Sequence, residues 1–278
     1  MSRVQLFNGE FVHKDQPIIL TSNRGFCYGD GFFESIRVSN GKPLFVPAHW
    51  NRVLQTAKFL SIDIPAEMNV RKFENFVKEL CTQNGLTNAR IRFQVFRKGE
   101  GKYTPNENGF GWSMICAALP SAEYQLNKKG LLVGICPTHC INPKPQSSFK
   151  TSNSLPYILG SQYAQKMNWD DCLMLDSEDF IAESTHSNIF LVKGNTLVTP
   201  GLSNGGVMGV MRSVVMQMAA KNGFEVKTVL ISEADLLESD EVFLTNAIRG
   251  IQWVGAFKRK RFFKKKAEVL LQLLEGSR

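Results

Sequence analysis

An α+β fold divided between two domains is the architecture that this 278-residue chain predicts. Three observations carry the prediction: short strand-like runs recur from end to end, helical periodicities fall between them irregularly, and the pattern breaks near residue 120. Strict alternation of strand and helix would point instead to a doubly wound parallel sheet. A chain of this length can bury one large core or two ordinary ones. Residues 1–119 are expected to form an N-terminal domain, 120–128 a linker and 129–278 a C-terminal domain.

Runs at 5–7, 11–13 and 17–20 read as short strands, and Asn8-Gly9 between the first two favours a two-residue hairpin turn. A helix is expected over 47–60, where Trp50, Val53, Leu54, Ala57 and Leu60 recur at helical spacing. A second helix runs from about 69 to 84 and stops at Gly85. Strands follow at 90–97 and 112–118, and Leu119-Pro120-Ser121-Ala122-Glu123-Tyr124 then interrupts the pattern. The second half begins with a strand at 131–136 and an irregular stretch holding Pro137, Pro143 and Pro145. Beyond it lie a helix over 155–167, strands at 172–176 and 188–192, and a helix over 210–220 that Gly223 ends.

Composition narrows the function classes. With 43% apolar and 21% charged residues the chain has the make-up of a globular protein. No apolar run approaches the ~20 residues that a membrane-crossing helix needs, and the N-terminus turns at Asn8-Gly9 before a signal-peptide core can form. The six cysteines lie mostly inside apolar stretches, not in a disulfide framework, so a reducing cytoplasm is the expected location. A net charge of +8 invites a nucleic-acid reading, but seven of the bases lie in 258–266, which holds no acid. Such a run can bind phosphate backbones or steer an anionic substrate. The plainer reading is a solvated hairpin or turn before the last helix, anchored by Phe262 and Phe263, and no nucleic-acid partner is expected.

The chemistry is concentrated in an ordered set. Lys150 stands in Ser148-Phe149-Lys150-Thr151-Ser152-Asn153, followed by Glu183 in Ala182-Glu183-Ser184-Thr185-His186-Ser187-Asn188, then Gly205-Gly206-Val207-Met208-Gly209 and Thr245-Asn246. A lysine that attacks a carbonyl must be neutral, which requires desolvation or cationic neighbours; taken alone, Lys150 reads as a surface charge, as one lysine among many almost always is. Glu183 alone reads as a strand-end carboxylate in a salt bridge. The glycines lead into a helix with apolar residues at 210, 211, 214, 215, 218 and 219, and a helix start offers free N–H groups to a phosphate. Glycine-led helices are common, so this signal is weak unaided. Together the set suits a protein that holds an aldehyde cofactor by its phosphate.

Other readings have less behind them. Cys136-Pro137-Thr138-His139-Cys140 lacks the second ligand pair that zinc needs, and no metal is expected. His186 lies among serines without a Gly-x-Ser-x-Gly elbow, which disfavours a hydrolytic triad.

The ordered set resembles the class IV aminotransferases, the fold-type IV pyridoxal-phosphate enzymes, over nearly the whole chain. The likeness starts at Arg24-Gly25-Phe26-Cys27-Tyr28-Gly29-Asp30-Gly31-Phe32-Phe33-Glu34, continues through His49-Trp50-Asn51-Arg52 and ends at Thr245-Asn246-Ala247. It implies a smaller N-terminal α/β sandwich and a larger C-terminal pseudo-barrel, with the site at the domain interface. It makes Lys150 the catalytic lysine that holds pyridoxal 5'-phosphate covalently and moves protons once released. Glu183 would face the pyridine nitrogen, with Asn188 also at the cofactor. Val210 and Met211 amides, Thr245 with its neighbour Asn246, and Arg52 would hold the phosphate. A homodimer acting on a small amino substrate is implied as well.

Branches of that family differ in detail. The branched-chain branch resembles a pattern with tyrosine where this chain has Leu155, and the D-amino acid branch one with tyrosine where it has Phe33. Arg92-Phe93-Gln94-Val95-Phe96-Arg97, the following Gly99, Gly101 and Tyr103-Thr104-Pro105, and Ile248-Arg249-Gly250 are similar to the aminodeoxychorismate lyase branch. Arg97 and Arg249 are therefore the expected holders of substrate carboxylates, beside Phe33. The expected reaction is pyruvate elimination from 4-amino-4-deoxychorismate; the alternative is an amino acid transaminase using 2-oxoglutarate.

Overall fold

Residues 3–137, 141 and 145–278 are described by a computed structural model, in which the chain divides into two compact units. The first comprises Met1–Glu123 with Phe149–Asn153, the second Tyr124–Ser148 with Ser154–Arg278. The short segment that carries Lys150 thus belongs with the first half of the sequence. Thr138, His139 and Cys140 of the weighed metal motif lie outside the described residues.

In the first unit, β1 (Val4–Phe7), β2 (Glu10–His13), β3 (Gly31–Ser39), β4 (Lys42–Pro43), β5 (Ala89–Arg97) and β6 (Phe110–Ala118) form one antiparallel sheet, ordered β2-β1-β6-β5-β3-β4. Asn8 and Gly9 turn the β1–β2 hairpin with φ of 50° and 98°, the left-handed backbone that a two-residue loop demands. The run at 17–20 is not a strand: it is irregular and leaves Leu20 77% exposed. Pro17 lacks the N–H that a ladder would need. After it α1 (Arg24–Tyr28) makes one turn, capped by the Asn23 side chain and closed by Gly29 in the left-handed conformation.

Two helices cover one face of this sheet. In α2 (Val46–Leu60) Pro47 occupies the first turn, where a missing N–H costs nothing, and Val46, His49, Trp50, Val53 and Ala57 face inward while Leu54 is exposed. In α3 (Val70–Gln83) Asn69 caps the Arg71 and Lys72 amides, and Gly85 leaves the helix at φ 64°. Phe73 meets Trp50 and Phe93 at ring distances of 5.1 and 5.0 Å. Strand parity decides what joins that core. On β5 Ala89, Ile91, Phe93 and Val95 are buried beneath the helices, while Arg90, Arg92 and Gln94 take the other face.

The second unit is built on a sheet ordered β12-β11-β10-β13-β14-β7-β8-β9. Its strands are β7 (Leu131–Ile135), β8 (Asp171–Leu175), β9 (Ile181–Ser184), β10 (Asn188–Lys193), β11 (Thr196–Pro200), β12 (Glu225–Val229), β13 (Glu241–Asn246) and β14 (Gly250–Phe257), with β15 (Lys260–Arg261) paired to β14. The sheet curls until β9 lies beside β10, a half-barrel. Helices α4 (Leu155–Lys166), α5 (Val210–Lys221), α6 (Glu233–Glu238) and α7 (Lys265–Gly276) complete the unit. Strand β10 is buried from Asn188 to Val192, as expected of a strand covered on both faces. The basic run forms the β14–β15 hairpin, turning at Lys258 with φ 51°, and then enters α7. Only Phe262 anchors it; Phe263 is 68% exposed, because the chain turns from strand to helix between inward-facing positions. Among the described residues no helix is long and apolar enough to cross a membrane.

Candidate cofactor-binding and active site

Lys150 is held against the edge of β3. The Phe33 amide donates to the Lys150 carbonyl at 3.1 Å, the Ser152 amide to the Gly31 carbonyl at 2.9 Å, and Phe149 stacks on Phe59 with ring centres 4.4 Å apart. The ammonium nitrogen of Lys150 lies 4.5 Å from the centre of the Phe33 ring. The Arg92 guanidinium lies 3.9 Å from the same ring, and its Nη2 donates to Gln94. Gln94 in turn donates to the Ser152 hydroxyl at 2.8 Å. Phe33, Arg92 and Gln94 share the face of the sheet that the helices leave uncovered, and Lys150 joins them there. Burial, with repulsion from Arg90, lowers the Arg92 pKa from its ordinary value.

Arg52 has a different setting. Its Nε and Nη2 grip the two oxygens of Glu34 at 2.7 and 2.6 Å, and His49 Nδ1 meets Glu34 Oε2 at 2.6 Å. All three side chains are buried. Burial alone would raise the Glu34 pKa. The Arg52 charge, aided by hydrogen bonds from His49 and Arg52, overrides that and holds it at about 2.

Arg97, expected to hold a substrate carboxylate, is placed away from the Phe33 ring. Its Nε donates to Asp30, Nη1 to the Ser61 carbonyl and Asn108, and Nη2 to the Leu60 carbonyl, all within 2.9 Å. It shares Asp30 with buried Arg24. Parity explains the placement: Arg97 follows Ile91, Phe93 and Val95 on the inward face of β5. The arginine that reaches the Lys150 side is Arg92, which the motif comparison passed over although its parity with Gln94 marks it.

In the second unit the site is organised by Glu183 on β9. One oxygen accepts from the Tyr157 phenol at 2.6 Å; the other accepts from Asn188 Nδ2 at 2.9 Å and the Val207 amide at 3.0 Å. Asn188 also donates to the Val207 carbonyl at 2.8 Å. Gly209 is required for this arrangement, since a Cβ there would fall 1.9 Å from Asn188 Oδ1. Nothing in the sequence singled out Tyr157, because a tyrosine in the first turn of a helix carries no signal of its partner.

Next to Glu183 lies a helix start that could hold an anion. Helix α5 starts at Gly209 without any side-chain cap, so its first amides have no side-chain acceptor. Val210 and Met211 open it, and it packs on β13, where the Thr245 hydroxyl is buried without a hydrogen-bond partner. Orphaned buried hydroxyls are rare. Arg212, also buried, donates to Thr199 and to the Pro200 carbonyl, and burial lowers its pKa while the Glu183 charge raises it. Asn246 shapes the turn beyond: its Oδ1 accepts from the Ile248 and Arg249 amides and its Nδ2 donates to Ser187 at 2.9 Å. Arg249 is exposed on that turn. An uncapped helix start, an orphaned hydroxyl and a buried carboxylate fit the phosphate and the ring nitrogen of pyridoxal phosphate, and Lys150 fits its aldehyde.

The family model described as amino-transferase class IV matches residues 31–257. A Methanocaldococcus jannaschii protein, provisionally named a branched-chain-amino-acid aminotransferase, is 31% identical over 243 residues, 86% of this chain and 82% of its own. The aminodeoxychorismate lyase of Vibrio harveyi is 25% identical over 236 residues, 85% of this chain and 86% of its own. A branched-chain amino acid aminotransferase from T.th., solved with pyridoxamine 5'-phosphate, shares the fold. It superposes with a TM-score of 0.88 at 23% identity, over 100% of this chain and 96% of that one. The chain therefore belongs to the amino-transferase class IV family, and is a pyridoxal-phosphate-dependent enzyme of fold type IV.

Proposed function

We propose that the chain is a 4-amino-4-deoxychorismate lyase, releasing pyruvate and 4-aminobenzoate. The observation that carries the reading is the meeting of Lys150 and Arg92 around the bare phenyl ring of Phe33. A base and a carboxylate-binding cation lie against one ring, with no hydroxyl at the position where the D-amino acid branch resembles tyrosine. When bound, pyridoxal phosphate supplies an electron sink for the carbanion that proton removal leaves. Lys150 takes the proton from the carbon bearing the substrate amine. Arg92 and exposed Arg249 hold the two substrate carboxylates. Glu183 faces the ring nitrogen, and the α5 amides, Thr245 and Arg52 hold the phosphate.

A transaminase of the branched-chain type, using 2-oxoglutarate, is the second reading, favoured by the 31% identity to the Methanocaldococcus jannaschii protein. In either case we read the protein as a cytoplasmic homodimer. Exposed Ile19, Leu20, Phe26, Tyr28 and Tyr103 give the first unit apolar surface that a second copy would cover.

The two readings separate in one experiment. The loaded protein is mixed with a panel of L- and D-amino acids without keto acid, and with 4-amino-4-deoxychorismate. Retention of the yellow absorption with every amino acid, together with release of 4-aminobenzoate, is the expected result. Bleaching to the pyridoxamine form by one donor would identify a transaminase and name its substrate.

A further inference from the structure

Tyr157 is outside the set of residues that the family motifs mark, yet it donates a hydrogen bond to Glu183, 2.6 Å from phenol oxygen to Oε1. Its position is built. Gly160, one turn further along α4, has no room for a side chain: a Cβ would lie 2.7 Å from Met174 Sδ and 2.9 Å from Thr185 Cγ2. The helix therefore sits hard against β8, and residues 157 and 160 share the face turned toward it. That close approach brings the phenol to Glu183. Burial, then the neighbouring Glu183 charge, pushes the Tyr157 pKa above its ordinary value, so the phenol remains a donor at any working pH.

We propose that Tyr157 is a positioning residue that keeps a proton on the cofactor's ring nitrogen, by drawing negative charge out of the Glu183 carboxylate. The inference rests on the reading that Glu183 faces that nitrogen. A carboxylate opposite a protonated pyridine competes for the proton, and if it wins, the neutral ring withdraws electrons less strongly. Every hydrogen bond donated into the carboxylate stabilises the anion and lowers its affinity for the proton. Glu183 receives such bonds from a phenol, an amide and a backbone N–H, all neutral groups. Tyr157 supplies the only one of these three that falls on Oε1.

The test reads the proton on the ring nitrogen itself, from the nitrogen-15 NMR shift of ring-labelled pyridoxal phosphate bound to the wild type, Tyr157→Phe and Glu183→Gln. Protonated and neutral pyridine nitrogens give well-separated shifts. The wild type is expected to show the protonated value, Tyr157→Phe to move toward the neutral value, and Glu183→Gln to reach it. A wild-type shift in Tyr157→Phe would overturn the role of Tyr157 while leaving Glu183 in place. A protonated value retained in Glu183→Gln would overturn the Glu183 reading and the inference with it. Should Tyr157→Phe fail to fold, a fluorinated tyrosine at 157, a stronger donor of the same shape, must hold the protonated value; a move toward the neutral value contradicts the inference.

Discussion

Among the described residues Glu34, Glu183 and Glu241 are buried, and the first two have surroundings opposite in kind. Glu34 is matched by charge, with Arg52 gripping both oxygens and His49 closing the site. Glu183 is held by the neutral donors Tyr157, Asn188 and Val207, while Arg212 acts on it through space and directs its hydrogen bonds to Thr199 and Pro200. The Glu34 ion pair stabilises the fold and fixes the arginine that we propose holds the phosphate. The hydrogen bonds that Tyr157, Asn188 and Val207 donate to Glu183 stabilise its anion, and we propose that this anion faces the ring nitrogen of pyridoxal phosphate. On that proposal the first carboxylate serves stability and the second cofactor chemistry.

The largest expected effect is on stability. Glu34→Ala leaves Arg52 buried without the carboxylate it grips and should cost about 3–5 kcal/mol in urea unfolding; a loss below ~1 kcal/mol would end the contrast. The pH dependence of wild-type stability sharpens it. The Glu34 carboxyl falls from its ordinary 4.5 to about 2 in the folded state, so its contribution is complete above pH 4.5. It declines as the pH falls toward 2, a total of about 3 kcal/mol. Glu34→Gln should flatten that acid limb, and an unchanged limb would place the titration elsewhere.

Glu183→Gln should behave in the reverse way, lowering kcat about a hundredfold with little change in the urea midpoint. Thr245→Val, isosteric with its parent, should weaken pyridoxal phosphate about tenfold. The cofactor-free protein should hold its stability or gain up to ~1 kcal/mol, because an orphaned hydroxyl leaves the interior. The smallest effect belongs to the basic hairpin. Phe263→Ala should cost less than ~0.5 kcal/mol, against ~3 kcal/mol for Phe262→Ala, and equal losses would show that both rings anchor it.

How much of this was legible in the sequence differs by residue. Local signals held where the physics is local: Asn8-Gly9 turns a hairpin, Gly85 and Gly223 follow their helices, and α2 and α3 lie where periodicity put them. The run at 17–20 failed because strand-like composition says nothing about whether an edge is available to pair with. Lys150 and Glu183 stood out through the order of motifs, not through their own chemistry. Arg97 and Arg92 take different settings for one reason. Both are arginines on β5, and only alternation with Ile91, Phe93 and Val95 reveals which face each takes. Tyr157 and Glu183 are 26 residues apart, and no spacing rule links the first turn of α4 to the end of β9. Glu34 and His49 escaped notice likewise, since a buried ion pair is a property of packing.

The most direct test of the assignment of the site is to trap the cofactor where it is attached. The loaded protein is reduced with borohydride, digested and analysed by mass spectrometry for the phosphopyridoxyl group. The mass should fall on the peptide carrying Lys150 and vanish from Lys150→Ala. A label on any other lysine, or none on a protein that binds pyridoxal phosphate, would contradict the account.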